Sequence, residues 1–168
     1  LALKVMVVYY EFTRDARVED VVRNSLRAID QHIDRWTLFA WAQTRWFEAL
    51  IPIWWLYERT GEPWLLDLAS KLRAQGFDWI GFYERWPYKK PDPRGRWSQM
   101  SHVVNNAMML KSGALLWRMT GEAKHLHAAE GMVRLLDEHH GMVTGVFSGD
   151  ECLAGTSPVR GTELCAVA

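Results

Sequence analysis

Apolar residues recur along most of the chain at spacings of three and four positions, which is the period of an amphipathic α-helix. The clearest stripes consist of Val18, Val22, Leu26 and Ile29; Phe47, Leu50, Trp54 and Tyr57; Val104, Met108, Leu115 and Met119; and Leu126, Ala129, Val133 and Leu136. The pattern predicts an all-α fold. Pro52 lies inside the second stripe, and we expect it to kink that helix or to mark its true start.

Three segments share a longer pattern, in which a helix end with an aromatic residue leads through a threonine into a turn and a second helix. They are YYEFTRDARVEDVVRNSLRAID from Tyr9, LYERTGEPWLLDLASKLRAQGF from Leu56 and LWRMTGEAKHLHAAEGMVRLLD from Leu116. Gly61 and Gly121 suit the left-handed end of a helix, whereas the first segment has Arg14, so its turn can differ. The segments predict three helical hairpins, recurring every 47 to 60 residues, that form part of a solenoid or toroid.

The regular pattern stops in two places. A Pro/Gly-rich segment, WPYKKPDPRGRW, separates the second hairpin from the third and is expected at a rim of the fold. After the third hairpin, glycines recur every four to six residues in a long irregular segment of the kind that builds a site on a scaffold. Thr162 is the predicted N-cap of a following helix, with Glu163 in its first turn.

Composition excludes several classes of function. The chain has 20 basic and 20 acidic residues and no block of like charge, which argues against binding to nucleic acid or to anionic lipid. No apolar run approaches about 20 residues and no signal peptide is recognisable, so no membrane association is expected. Two cysteines make no disulfide framework. Both termini fall inside predicted helices, so we interpret the chain as an internal piece of a longer protein.

Glu163 and Cys165 are the first candidates for chemistry. At a helix entrance both side chains can face one point, and the helix N-terminus favours the thiolate form of a cysteine there. A carboxylate beside a thiolate is a usable pair of zinc ligands, although zinc requires four. On spacing alone, the better explanation is a glutamate that stabilises the helix dipole beside a buried cysteine.

A family resemblance changes that balance. The segments RWFEALIPIWWLYERTGE, HVVNNAMMLKSGALLW and GVFSGDECLAGTSPVRGTELCAVA resemble glycoside hydrolase family 127, the β-L-arabinofuranosidases and their relatives, and the similarity extends from about Trp41 to the end. The resemblance implies that residues 1–168 are about half of a catalytic (α/α)6 toroid. It also implies a zinc centre with one glutamate and three cysteine ligands, one cysteine being the nucleophile and a separate glutamate the acid/base.

Carried onto this chain, the resemblance assigns Glu163 and Cys165 as zinc ligands and Glu151 as the acid/base, with neighbouring Asp150 as an alternative. Glu151 would protonate the departing oxygen and then activate water against a thioglycosyl intermediate, a role that calls for a pKa raised by desolvation from nearby tryptophans. The family's other two ligands, a Cys-Cys pair that includes the nucleophile, have no counterpart here, so the chain alone is predicted to be inactive. Cys152 matches no family role and is interpreted as a small apolar loop residue.

Several further polar residues are candidates for substrate contacts. The resemblance implies that His102, at the start of a helix, faces the cavity and bonds sugar hydroxyls, with Asn105 one turn on; an exposed helix-start histidine is the alternative. Arg45 and Trp46 are predicted to contact sugar at the corresponding rim. Trp54 and Trp55 are assigned to the core, and His139-His140 to a cationic helix C-terminus without a site.

The sequence thus predicts part of a retaining β-L-arabinofuranosidase-like hydrolase with a carbohydrate substrate and a zinc cofactor. Glu151, Glu163 and Cys165 are expected to converge on one cavity at the same rim as His102. A non-catalytic helical scaffold, or another α/α-toroid enzyme such as an epimerase or uronyl hydrolase, is the alternative. A cytoplasmic location is favoured because a zinc–thiolate site suits a reducing compartment.

Overall fold

A computed structural model describes residues 1–93, 95–147, 149–160 and 163–167. Most of these residues are helical, which confirms the predicted all-α class, and a pair of two-residue strands is the one departure among the described elements. The chain divides into two compact units, Leu1–Phe77 and Asp78–Ala168. Among the described residues, no helix has the length and apolar character needed to cross a bilayer.

The first unit consists of helices whose apolar stripes meet in one core. Its elements are α1 (Ala2–Thr13), α2 (Arg17–Ile33), the short α3 (Trp41–Thr44), a 3-10 turn (Trp46–Ala49), α4 (Leu50–Thr60) and α5 (Trp64–Gln75). Helix α4 contacts α1, α2 and α5 and so lies at the centre of the unit. The largest fully buried side chains of the first unit are Leu26, Phe47, Leu50, Ile53, Leu56, Leu65 and Leu68.

Pro52 lies in the first turn of α4, directly after the 3-10 turn, so it marks the true start of that helix. This position tolerates proline because the N–H groups of a first helical turn have no partner within the helix. Trp54 and Trp55 are buried on the same helix, which confirms their assignment to the core. The indole N–H of Trp55 donates to Glu11 at 3.1 Å, so its polar edge is satisfied.

The second unit carries the remaining helices and the irregular tail. Its elements are α6 (Trp79–Glu84), α7 (Val103–Met109), α8 (Lys111–Thr120), α9 (Lys124–His140), β1 (Gly149–Asp150), β2 (Cys152–Leu153) and two 3-10 turns, Pro158–Arg160 and Leu164–Val167. Helices α8 and α9 pack together, α6 packs on α9, and α7 contacts the last 3-10 turn. The tail therefore packs back onto α7.

The three aligned turns have the same local geometry. In each, a threonine hydroxyl donates to the carbonyl four residues earlier, at 2.9 Å for Thr13 and 3.0 Å for Thr60 and Thr120. The same hydroxyl accepts the N–H two residues later, at 3.3, 3.4 and 3.2 Å. The residue after the threonine is left-handed every time, including Arg14 with φ of 56°. The first turn therefore does not differ, although a side chain occupies the position that favours glycine.

Arg14 should store strain that a glycine would relieve. Arg14→Gly and Arg14→Ala both lose the 2.8 Å ion pair with Glu11, but only glycine adopts the left-handed conformation without a steric penalty. We expect the free energy of unfolding of Arg14→Gly to exceed that of Arg14→Ala by about 1 kcal/mol in urea titrations.

Gly121→Ala is the matched control, because a Cβ at Gly121 would have no atom within 4 Å and the change tests backbone strain alone. It should destabilise the protein by about 1 kcal/mol. Equal stability of Arg14→Gly and Arg14→Ala would contradict the strain assigned to this turn.

Candidate functional site

Two short segments of backbone form the frame of the candidate site. The N–H of Val103 donates to the carbonyl of Glu151 at 3.0 Å, and the N–H of Leu153 donates to that of Ser101 at 2.9 Å. His102 and Cys152 form an antiparallel bridge between these bonds. Val103 is the first residue of α7, where a helix leaves its N–H without an internal partner, so the ladder also satisfies the start of that helix.

Glu151 is the single residue that connects β1 to β2, which pair in register as Gly149 with Leu153 and Asp150 with Cys152. Its φ of 78° lies in the left-handed region, which costs a non-glycine residue about 1–3 kcal/mol. Strained residues of this kind cluster at functional sites, because the surrounding structure must hold them in place. Here the ladder and the hairpin hold Glu151.

Gly149 is required by the closeness of this packing. A Cβ at this position would lie 2.5 Å from the carbonyl oxygen of Cys152 and 2.6 Å from the Cβ of Val103. Neither atom belongs to the flexible end of a side chain, so a larger residue would push the hairpin away from α7. The glycine thus allows the hairpin to lie against the start of the helix that carries His102.

His102 caps α7 with its imidazole ring. Its Nδ1 accepts the backbone N–H of Asn105 at 3.2 Å, and only the neutral tautomer with a proton on Nε2 leaves Nδ1 free to accept. The Nε2–H group faces the carboxylate of Glu151, with 3.4 Å between Nε2 and Oε2. A buried histidine therefore orients the carboxylate. The ring of Trp97 packs against the imidazole in a T-shaped pair, with 5.9 Å between the ring centres.

Glu163 connects the hairpin to Cys165. Its Oε2 accepts the N–H of Glu151 at 3.3 Å, and its Oε1 accepts the thiol of Cys165 at 3.1 Å. This thiol–carboxylate bond raises the pKa of Cys165 above its usual value, so the expected stabilisation of the thiolate by a helix N-terminus is wrong. Residues Leu164–Val167 also form a four-residue 3-10 turn instead of the expected α-helix. The predicted N-cap, Thr162, lies outside the described residues.

The structure therefore brings the predicted residues of the tail together. Ligand-capable atoms of His102, Glu151 and Glu163 all lie within 4.8 Å of one another, and Cys165 is bonded to Glu163. The cluster joins residues that are about fifty positions apart in the sequence, on a helix start and in the irregular tail.

Glu163 and Cys165 fit two positions of a zinc site. Zinc binds carboxylate oxygen at about 2.0–2.2 Å and thiolate sulfur at about 2.3 Å, so tetrahedral coordination separates the two atoms by about 3.6 Å. Their separation of 3.1 Å means that an ion replacing the thiol proton requires only a small widening. His102 does not fit as a ligand in this arrangement, because its Nε2 carries the proton that faces Glu151.

An open groove of about 450 Å³ lies beside Glu151, lined by Gly95, Trp97, Asp150, Glu151, Cys152 and Arg160. The side chain of Glu151 is 67% exposed. The desolvating enclosure of tryptophans expected around this carboxylate is therefore wrong for the described residues, of which Trp97 alone among tryptophans lines the groove. The arrangement leaves the carboxylate of Glu151 accessible from the open groove.

Asp150 has a different environment from Glu151. Its two carboxylate oxygens accept from the guanidinium of Arg160 at 2.5 and 3.1 Å, and the same guanidinium donates to the carbonyl of Asp92 at 2.6 Å. This bidentate pair holds the carboxylate in a fixed position in the tail. Of the two acids left open by the sequence, Glu151 is the one positioned against His102.

The remaining candidates have structural contacts. Cys152 is buried on β2, and burial raises the pKa of its thiol, as suits a small packing residue. Asn105 is fully buried and its amide donates to the carbonyl of Gln99 at 2.8 Å. In the first unit, the indole N–H of buried Trp46 donates to Phe77 at 3.1 Å, and the guanidinium of Arg45 lies 4.4 Å from the ring centre of Trp41.

Buried Asn106 supports the site, although it was not recognised as a candidate in the sequence. Asn106 donates to the carbonyls of Met100 and His102 at 2.9 and 2.8 Å and accepts the hydroxyl of Tyr83 at 2.7 Å. It fixes the loop that leads into the ladder. The consecutive asparagines in the apolar helix VVNNAMM were a signal for such a role.

His140 was expected to be a cation at the end of α9, and this expectation is wrong. The residue is fully buried, its Nδ1 accepts the N–H of Gly155 at 2.9 Å, and its Nε2 donates to the carbonyl of Tyr88 at 2.7 Å. Burial lowers its pKa, so the folded protein holds the neutral form. Its backbone partners are distant in sequence, so spacing gave no signal for this contact.

No family model, curated protein or solved structure matches the chain. The function is therefore inferred from the geometry of the site and from the resemblance of the quoted sequence segments.

Buried His140 should make the protein less stable in acid. Because its pKa is lowered in the folded state, the unfolded chain binds a proton first as the pH falls below about 6.5. Stability that is fully present at pH 8 should therefore decrease toward pH 5, by at most about 1.4 kcal/mol per pH unit from this residue.

His140→Gln keeps a donor and an acceptor but cannot titrate, so urea titrations from pH 8 to 5 should show a shallower decrease than in the wild type. His127→Gln, at an exposed position, is the matched control and should keep the wild-type slope. Parallel pH profiles for the wild type and His140→Gln would contradict the assigned role of His140.

Proposed function

We propose that this chain provides part of the catalytic site of a retaining glycoside hydrolase that acts on L-arabinofuranosides, with Glu151 as the general acid/base. The observation that carries the proposal is the convergence of Glu151, His102, Glu163 and Cys165 from two distant segments. A plain helical scaffold has no need for a strained glutamate at this point. The resemblance to glycoside hydrolase family 127 assigns Glu151, Glu163 and Cys165 to the same site, whereas for His102 it implies a contact to sugar.

Two features of Glu151 suit an acid/base. Its carboxylate is accessible from an open groove, and the Nε2–H of His102 orients it from the other side. In the first step of retaining hydrolysis, Glu151 gives its proton to the glycosidic oxygen as the bond to the departing group breaks and the proposed cysteine nucleophile bonds to the sugar carbon. In the second step Glu151 takes a proton from the water that displaces the cysteine sulfur from that carbon, which restores the original state of both residues.

Glu163 and Cys165 are proposed as two of the ligands of a zinc ion. When bound, zinc would keep cysteine sulfur deprotonated and in place at neutral pH. Glu163 also accepts the backbone N–H of Glu151, so the same side chain couples the position of the acid/base to that of Cys165. The other two ligands are proposed to be a Cys-Cys pair outside these residues, and one cysteine of that pair is the proposed nucleophile.

The helices are proposed to form about half of an (α/α)6 toroid. The shared geometry of the three threonine turns supports a repeated hairpin unit. Helix α1 also exposes Val5, Val8 and Phe12 at spacings of three and four, which is typical of a helix that packs against a further helix. In such a toroid the irregular tail would lie at one rim and carry the site.

The proposal is tested by assaying the protein expressed from its complete reading frame on aryl β-L-arabinofuranosides. Glu151→Gln should lower kcat by at least about 100-fold, because the variant cannot transfer the proton. Glu138→Gln, which changes an exposed glutamate on α9, is the control and should keep wild-type activity.

A second substitution at the same position excludes unfolding as the cause of the lost activity. Glu151→Gly should be equally inactive, yet about 1 kcal/mol more stable than Glu151→Gln, because glycine accepts the φ of 78°. Wild-type activity in Glu151→Gln would contradict the assigned role. If the wild-type protein hydrolysed no glycoside, the result would favour the scaffold.

A further inference from the structure

The groove beside Glu151 lies on one side of the proposed catalytic cluster. It is lined by Glu151 and by residues of the Pro/Gly-rich loop and the tail, and neither Glu163 nor Cys165 is among the described residues that line it. Glu151 therefore belongs both to the groove and to the cluster that contains the proposed zinc ligands. An acid/base residue contacts the oxygen between two groups of a glycoside, so each region faces one of those groups.

Trp97 gives the groove a surface suited to a sugar. Its indole is 43% exposed, which leaves a large aromatic surface in contact with solvent. The edge-to-face contact with His102, at 5.9 Å and 72°, holds the ring beside the acid/base. An exposed aromatic side chain in a groove is a favourable contact for the C–H face of a sugar ring, because the contact buries apolar surface.

Polar groups complete the lining. The carboxylate of Asp150 and the guanidinium of Arg160 form a bidentate pair, which keeps both groups in fixed positions at the groove. Fixed donors and acceptors next to an aromatic surface are the usual composition of a small-molecule site, where they select the orientation of the ligand. Hydroxyl groups of a sugar match this combination.

We infer that this groove binds the departing sugar of the substrate, with Trp97 as its stacking platform. The inference rests on the proposed function of Glu151 and adds the substrate class: the enzyme acts on bonds between two sugars and uses contacts to both. The sugar whose bond is cleaved lies on the side of Glu163 and Cys165, and the departing sugar lies over Trp97.

The test compares two substrates of the full-length enzyme that differ in the departing group, a methyl β-L-arabinofuranoside and a β-L-arabinofuranosyl disaccharide. Trp97→Ala should lower kcat/KM about tenfold more for the disaccharide than for the methyl glycoside. Trp97→Phe retains an aromatic face and should recover most of the loss. The ratio of the two kcat/KM values does not depend on the fraction of folded enzyme.

Trp117→Ala is the matched control, because Trp117 is 42% exposed and does not line the groove. Its substrate ratio should equal that of the wild type. If the ratio of the two kcat/KM values in Trp97→Ala equals that of the wild type, as it does when both substrates lose activity equally, the subsite is overturned. Inactive Glu151→Gln together with an unchanged ratio in Trp97→Ala would overturn the subsite alone, whereas active Glu151→Gln would overturn the proposed function itself.

Discussion

The candidate site depends on two backbone hydrogen bonds, from the N–H of Val103 to the carbonyl of Glu151 and from the N–H of Leu153 to the carbonyl of Ser101. They join the first residue of α7, whose N–H has no partner within the helix, to a hairpin that has only two residues in each strand. The helix start and the hairpin each satisfy backbone groups of the other. Glu151 is held against His102 as a consequence, and Glu163 then accepts the N–H of the same glutamate.

The ladder is supported by buried polar residues whose hydrogen bonds end on backbone atoms. Asn106 holds the carbonyls of Met100 and His102 on one side, and His140 connects Tyr88 to Gly155 on the other. A buried polar group that loses its partner costs about 1–3 kcal/mol, so these residues specify one conformation of segments that lack regular structure. A small sheet alone would be too short to fix the position of a catalytic side chain.

The features that the sequence predicted depend on residues that are close together along the chain, and those that it missed depend on residues that are far apart. The helices, the threonine turns and the start at Pro52 depend on residues within a few positions of each other, and spacing reveals such contacts. The convergence of Glu151 with Glu163 and Cys165 was expected only through the family resemblance, because spacing alone favoured a simpler explanation. The buried neutral state of His140 and the thiol–carboxylate bond of Cys165 depend on tertiary contacts, and patterns based on helix ends gave the wrong charge for both.

Amide hydrogen exchange at Val103 and Leu153 tests the central constraint most directly, because these two N–H groups are the donors of the ladder. The structure predicts that both amides exchange far more slowly than those of an unstructured chain, although one begins a helix and the other lies in a two-residue strand. Exchange of both amides at the rate of an exposed loop would contradict the ladder, and with it the placement of Glu151 beside His102.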